Sequence, residues 1–270
     1  MPETASNFVG TIPENYDKGL GPNIFVDYAE DIARRAAATG ATRVLELAAG
    51  TGIVSRKLRD VLPDTAHLTV TDLNAPMLEV AKAKFRKGEN VEFTPADAMN
   101  LPFDDASFDL IVCQFGVMFF PDKVVSYREA ARVLRPKSRY IFNVWGANAA
   151  NPFSECAYDV GARFFPDSPP GFYKVPFSYA DLDAIHADLR SAGWTTIEHQ
   201  TLPLQKTVTD TAGFARGIVY GNPLIEEIRQ RDSTREAEIL AAVTAELTNR
   251  FGPDPFVMPL EATVFTVERP

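Results

Sequence analysis

Cysteine and histidine are scarce in this chain. The two cysteines, Cys113 and Cys156, are too few for a disulfide framework. Cys113 sits inside an apolar run, which predicts a buried thiol. The three histidines, His67, His186 and His199, lie far apart in sequence, and no Cys/His cluster has metal-ligand spacing, so no metal is expected. Basic charge is also short: 27 Lys and Arg stand against 36 Asp and Glu, a net charge of −9. Phosphate backbones are bound by basic faces, so nucleic acid is disfavoured as the main partner. No apolar run approaches the ~20 residues of a membrane span. The opening MPETASNFVGTIPENYDK lacks a basic segment followed by an apolar one. No signal peptide is expected, and the cytoplasm is the default location.

What remains is ordinary globular material, 46% hydrophobic and 23% charged over 270 residues. That length suits one large domain with an elaborated cap. Phe25, Tyr28 and Ile32 recur at helical spacing, with Gly40 as a stop. Strands are predicted at 43–47, 67–71, 91–94, 108–113 and 140–145. Between them lie helices marked by Val54, Leu58 and Leu62, by Asn74 as a cap for 75–87, and by 124–134. Strand and helix alternate, the pattern of a parallel sheet covered on both faces. After Trp145 the rhythm breaks. Residues 146–177 read as an irregular insertion. Ser178 and Asp181 form a capping-box pattern before a helix striped by Leu182, Ile185 and Leu189. A strand at 196–202, a helical stretch at 203–257 and a last strand at 263–267 complete the chain.

The expected fold is α/β: a doubly wound, Rossmann-like, seven-stranded and mostly parallel sheet with an antiparallel last strand. It forms one domain, with a core at about 41–145, 178–202 and 258–269. The cap or lid is expected at about 1–40, 146–177 and 203–257.

The strongest chemical signal is Val44-Leu45-Glu46-Leu47-Ala48-Ala49-Gly50-Thr51-Gly52. A strand delivers the chain to a glycine-rich turn, and a helix begins at once, presenting free N–H groups. A dinucleotide fingerprint needs G-x-G-x-x-G/A. Here the third position is Ser55, and the acidic Glu46 ahead of the turn is unhelpful to a pyrophosphate. S-adenosylmethionine (SAM) has no phosphate and carries an ammonium and a sulfonium, which suit an acidic neighbour better. Asp72 lies about twenty residues after Gly52 at the end of the second strand, where a carboxylate can accept from both ribose hydroxyls. Pro95-Ala96-Asp97-Ala98 follows the third strand, where adenine would arrive. Any one of these could be a plain loop or capping residue; together, at the ends of successive strands, they form a ligand edge.

These stretches carry a family resemblance. VLELAAGTG, TDLNAPMLEVAKAK, PADAMNLPFDDASFDLIVCQFGVMFFPD and EAARVLRPKSRYIFNVW resemble the class I SAM-dependent methyltransferases. The small-molecule branch related to ubiquinone/menaquinone C-methyltransferases is the nearest likeness. The resemblance spans Thr42 to Trp145 and fades beyond. It implies that Glu46, Ala48, Gly50, Thr51 and Gly52 meet the methionyl end and that Asp72 takes the ribose. It implies that Leu73 and Met77 pack near the adenosine, that Ala96, Asp97 and Ala98 hold adenine, and that the Gln114 carbonyl lies near the methionyl amine. Ala48 departs from the family's usual glycine.

Tyr16 and Phe25 lie in a stretch punctuated by Gly19, Gly21 and Pro22 and are read as part of an N-terminal lid over the cofactor; a plain brace on the sheet is the competing reading. Acceptor-side candidates are Phe115, Met118, Phe119, Phe153, Tyr173 and Tyr220, with further aromatics at Phe164, Phe165, Phe172, Phe177 and Phe214. Their chemistry predicts a mainly apolar or aromatic small-molecule acceptor, methylated on carbon or oxygen. No general base is identified, and none of the histidines is expected to act as one. The competing readings are a SAM-binding protein without transfer activity and a nicotinamide-dependent oxidoreductase. A monomer or homodimer is expected.

Overall fold

The computed structural model describes residues 6–270; the first five residues of the expected N-terminal cap lie outside them. Seven strands form one sheet: β1 (Arg43–Glu46), β2 (His67–Asp72), β3 (Val91–Pro95), β4 (Phe108–Gln114), β5 (Leu134–Trp145), β6 (Thr196–Val208) and β7 (Phe256–Glu268). Their spatial order is β3-β2-β1-β4-β5-β7-β6. β1 to β5 run parallel, and β7 runs antiparallel to both β5 and β6. The doubly wound sheet with an antiparallel last strand is thus as expected. The strand order reverses between β1 and β4, and ligands of such sheets bind at the carboxyl ends beside that switch.

Side-chain alternation explains why the central strands are apolar throughout. Val44, Leu110, Val112 and Ile141 face one core, packed by α2 (Val26–Ala37) and α3 (Ile53–Val61). Leu45, Ile111, Cys113 and Phe142 face the other. That side is covered by α5 (Lys123–Val133) and α7 (Leu182–Ser191), which contribute Tyr127, Val133, Ile185 and Leu189. The remaining core helix is α4 (Ala75–Lys82), shorter than the expected 75–87. Cys113 is fully buried, and desolvation pushes its thiol up to about 12. Among the described residues, no helix is long and apolar enough to cross a membrane.

The cap departs more from expectation. The segment before the sheet holds a short helix α1 (Ile12–Asn15) and then a π-helix, Tyr16–Phe25, running straight into α2. The 146–177 insertion is not irregular: it contains α6 (Phe153–Phe164). Asp181 caps α7, accepting from the Asp183 and Ala184 N–H groups, but no box forms, because the Ser178 hydroxyl turns to the Val175 carbonyl. Residues 203–208 continue β6, and β7 begins at Phe256, so the two form one long antiparallel pair. Inserted between them are α8 (Thr211–Tyr220), α9 (Leu224–Asp232) and α10 (Glu236–Phe251). α8 packs on the π-helix so closely that a Cβ at Gly19 would lie 2.5 Å from Gly217 Cα.

Candidate functional site

β1 ends at Glu46, and the chain turns through residues 47–52 into α3. Ala48, Gly50 and Gly52 all take positive φ (49°, 57° and 78°). The turn is held by Ala49 N–H donating to the Thr71 carbonyl (2.9 Å) and Gly52 N–H to the Ala49 carbonyl (3.0 Å). A Cβ on Gly52 would lie 2.7 Å from Ala81 Cβ, so the close approach of α4 requires glycine there.

Asp72 ends β2 and is 7% exposed. Its Oδ2 accepts from Gly50 N–H (2.8 Å), and its Oδ1 from Asn74 N–H (2.7 Å). Burial raises its pKa, and the N–H groups of Asn74 and Gly50 oppose that shift. Asn74 Nδ2 also donates to Oδ1 (3.3 Å), so of a carboxylate's roughly four acceptor positions one remains, on Oδ2, for a ribose hydroxyl. A cavity opens above it, lined on this side by Ala48, Gly50, Thr71, Asp72, Leu73, Asn74 and Met77. Ala96, Asp97, Ala98 and Met99 close its far end, and Gln114, Phe115, Gly116 and Phe119 its near end. Asp97 Oδ1 accepts from Met99 N–H (2.9 Å), which fixes the loop after β3. The Gln114 Nε2 donates to the Phe25 carbonyl (3.3 Å), while its Oε1 is buried without a partner among the described residues. That orphaned acceptor fits an ammonium, so the side chain joins the backbone carbonyl as a candidate for the methionyl end.

Three residues expected at that end lie elsewhere. Glu46, Thr51 and Gly52 do not line the cavity. Glu46 shares the strand face of Val44 and so points beneath the turn toward Ser55 of α3. It is 1% exposed, and its Oε2 has no hydrogen-bond partner among the described residues. Desolvation pushes its carboxyl up to about 8, with Asp72 adding to the rise and Ser55 and Lys84 pulling it down. Thr51 is buried, and Gly52 faces α4.

A second cavity adjoins the first. It is lined by Leu20, Ile24 and Phe25 of the π-helix, by Met118, Trp145 and Phe153, and by Phe172, Tyr173, Pro176 and Phe177 of the insertion. Asn222 is its polar corner. Its Nδ2 donates to the Tyr173 hydroxyl (3.0 Å). Phe8, Tyr16, Phe115 and Phe119 line both cavities and form their junction. Phe115, Met118, Phe119, Phe153 and Tyr173 thus gather in one cavity. Phe25, expected on the cofactor side, belongs to the aromatic cavity and stacks on Tyr16 (centroids 4.9 Å apart). Tyr220 is outside both. It lies in an outer groove with Asn15 and Lys18, under the Arg216 guanidinium, because α8 turns its other face inward. Phe164 and Phe165 face Arg235 and Arg231 instead of the cavity.

Two supports were not read from the sequence. Phe115 has φ 53°, an uncommon conformation for a bulky residue. It is held by Asn143, whose Oδ1 accepts the Phe115 N–H (2.9 Å), and by stacking on Trp145 (3.9 Å between centroids). Asn143 sits in an apolar strand run, and its fully buried polar side chain was the available signal. The histidines stay outside both cavities. His186 and His199, distant in sequence, meet with Nε2 and Nδ1 3.0 Å apart over Phe265. His67 is near the surface beside Asn90.

Residues 44–137 match the family described as a methyltransferase domain. The chain is 31% identical over 183 residues to a demethylmenaquinone methyltransferase of Clavibacter sepedonicus, an alignment covering 63% of this chain and 72% of that protein. It is 37% identical over 120 residues to the ubiquinone/menaquinone biosynthesis C-methyltransferase UbiE of Hahella chejuensis, covering 43% and 48%. The match therefore spans about half the length of this second relative. Among solved structures, the YcgJ protein of Bacillus subtilis superposes with TM-score 0.57 at 21% identity, over 90% of this chain and 98% of that one. The Haemonchus contortus phosphoethanolamine N-methyltransferase 2, in complex with SAM, gives TM-score 0.58 at 18% identity, over 96% and 56%. Both are likenesses of fold.

Proposed function

The chain belongs to the SAM-dependent methyltransferase family that includes the demethylmenaquinone and ubiquinone/menaquinone C-methyltransferases, and on that premise we propose that it methylates a carbon or oxygen of a mainly apolar or aromatic small molecule. The observation that carries this reading is the aromatic cavity opening onto the Asp72 cavity through Phe8, Tyr16, Phe115 and Phe119. Pockets for small molecules are lined mostly by such side chains, with few polar groups for orientation.

SAM would supply an electrophilic methyl carbon. Asp72 would accept from a ribose hydroxyl, Asp97 and Ala98 would meet adenine, and Gln114 would accept from the methionyl ammonium. The four shared aromatics orient the acceptor at the junction. Alignment of reacting atoms to about 3–3.5 Å supplies much of the rate in such a displacement. The surrounding aromatic walls exclude water. An acceptor of quinone, polyketide or phenol type fits, and the net charge of −9 agrees with the exclusion of polyanions.

The test is a turnover screen that follows S-adenosylhomocysteine release across apolar phenols and quinones, sugars, amines and nucleic acids. Turnover concentrated among phenols or quinones is expected. Activity confined to nucleic acids or charged amines removes the acceptor reading. Binding of S-adenosylhomocysteine in calorimetry without any turnover favours a SAM-binding protein, and binding of NAD instead removes the cofactor.

A further inference from the structure

Asn74 stands at the start of α4, where an asparagine ordinarily caps the helix with its side chain. Here it makes no such bond. Its Oδ1 instead accepts the Phe8 N–H (3.2 Å), and its Nδ2 donates to the Ser6 carbonyl (3.0 Å). A carboxamide offers an acceptor and donors side by side. It therefore pairs with the Ser6–Phe8 backbone much as a neighbouring strand would. The same residue is tied to the cofactor cavity, its N–H and Nδ2 donating to Asp72 Oδ1 at 2.7 and 3.3 Å. Phe8, at the other end of this chain of bonds, lies in the walls of both cavities. It is set edge-on to Tyr16 (6.0 Å), Phe119 (6.1 Å) and Phe172 (6.4 Å).

We propose that Asn74 is a positioning residue that couples the ribose carboxylate Asp72 to closure of the N-terminal strap over the acceptor cavity. The inference rests on the cofactor reading of the first cavity. A hydroxyl donating to Asp72 fixes the orientation of its carboxylate. Oδ1 then holds the Asn74 amide, and the amide holds the backbone that carries Phe8. The aromatic junction is completed when the cofactor is in place, so bound cofactor tightens the acceptor. Such coupling is reciprocal: a bound acceptor tightens the cofactor by the same factor.

Hydrogen exchange of the full chain, with and without S-adenosylhomocysteine, tests this, with calorimetry of the same ligand alongside. In the wild type the ligand should slow exchange of residues 6–12 by about 10-fold, a coupling of ordinary size. Asn74→Ser keeps a good helix cap, so it folds, but its hydroxyl cannot pair with both backbone groups. In that variant the strap should exchange fast with and without ligand, and affinity for S-adenosylhomocysteine should fall by about the same 10-fold, as reciprocity requires. Equal protection in the wild type with and without bound ligand overturns the proposal, as does ligand-induced slowing that survives in Asn74→Ser. If calorimetry finds no S-adenosylhomocysteine binding to the wild type, the cofactor reading itself fails, and the coupling falls with it.

Discussion

The cofactor cavity takes most of its walls from chain at the carboxyl ends of β1, β2, β3 and β4, with Ser6, Phe8 and Tyr16 of the N-terminal segment closing it. The aromatic cavity is assembled from the π-helix, the loop after β4, the end of β5 and the 146–177 insertion. In the first, backbone conformation and a buried carboxylate set the geometry: positive φ at Ala48, Gly50 and Gly52, and Asp72 bridging Gly50 to Asn74. In the second, ring packing sets it, as between Phe115 and Trp145 or Tyr16 and Phe25. A site built on strand ends is specified locally. A site built by packing is specified only when distant segments meet.

If the two halves are independent in this sense, they can be broken separately. Asp72→Ala removes the ribose acceptor and also the partner of the Gly50 and Asn74 N–H groups. Charge-assisted bonds are worth about 1.5–3 kcal/mol and do not simply add, so a loss of roughly 2–4 kcal/mol is expected. Calorimetry should show S-adenosylhomocysteine affinity falling roughly 30- to 1000-fold. Phe177→Ala removes a half-buried ring from the aromatic cavity alone. It should lower kcat/KM for the best acceptor of the screen about 10-fold, from lost apolar contact, and leave cofactor affinity within about 2-fold. Unchanged affinity in a folded Asp72→Ala protein removes the ribose assignment; a large cofactor effect from Phe177→Ala shows that the halves are not separable.

The same contrast governs how much could be read from the sequence. The strands from β1 to β4, Asp72, the loop at Ala96–Ala98 and the turn at Ala48–Gly52 were legible because apolar run, turn and functional residue are contiguous. Glu46 was misplaced because a motif gives position along a strand but not which face the side chain takes; the alternation with Val44 sends it under the turn. Pro203 and Pro259 hid the outer parts of β6 and β7, since proline breaks a ladder in a central strand. Beyond Ala262, the last β7 residue paired with β5, the two strands form a two-stranded arm, where prolines are tolerated. Gly19, Gly21 and Pro22 read as punctuation in a lid, yet Gly19 is a contact point against Gly217. Tyr220 carries the right chemistry on the wrong face of α8, and nothing local distinguishes the two.

A smaller effect sharpens the electrostatic side of the comparison. Burial holds Glu46 protonated up to about 8 in the folded chain, against about 4.3 when unfolded. Between those values the folded state keeps a proton that the unfolded state has released. Stability from this group is therefore complete below about pH 4 and is lost as pH rises through 8, with a slope of at most about 1.4 kcal/mol per pH unit. Asp72 is shifted in the same direction and adds at the acid end. His186, lowered first by burial and then by His199, acts with the opposite sign from outside both cavities. The aromatic cavity's Tyr16 and Tyr173 are raised by burial and do not titrate in this range. Glu46→Gln should therefore flatten the fall of melting temperature between pH 5 and 8. Parallel pH profiles for the two proteins would refute the buried, protonated state of Glu46.

The smallest expected effect asks whether the turn is governed by backbone alone. Ala48 has φ 49°, a conformation that costs an L-residue about 1–2 kcal/mol. Glycine relieves that cost but frees the unfolded chain, which takes back about 0.4–1 kcal/mol. Opposite the methyl stands Gly116, where an added Cβ would lie 2.5 Å from Ala48 Cβ, so some packing is lost as well. Ala48→Gly should then be neutral to stabilising by up to about 1 kcal/mol, with affinity for S-adenosylhomocysteine within about 2-fold. Urea unfolding would show a small rise in midpoint at unchanged slope. A destabilisation beyond about 1 kcal/mol would mean that the methyl's contact with Gly116 outweighs the backbone strain. The glycine-rich turn would then be held, like the aromatic cavity, by packing.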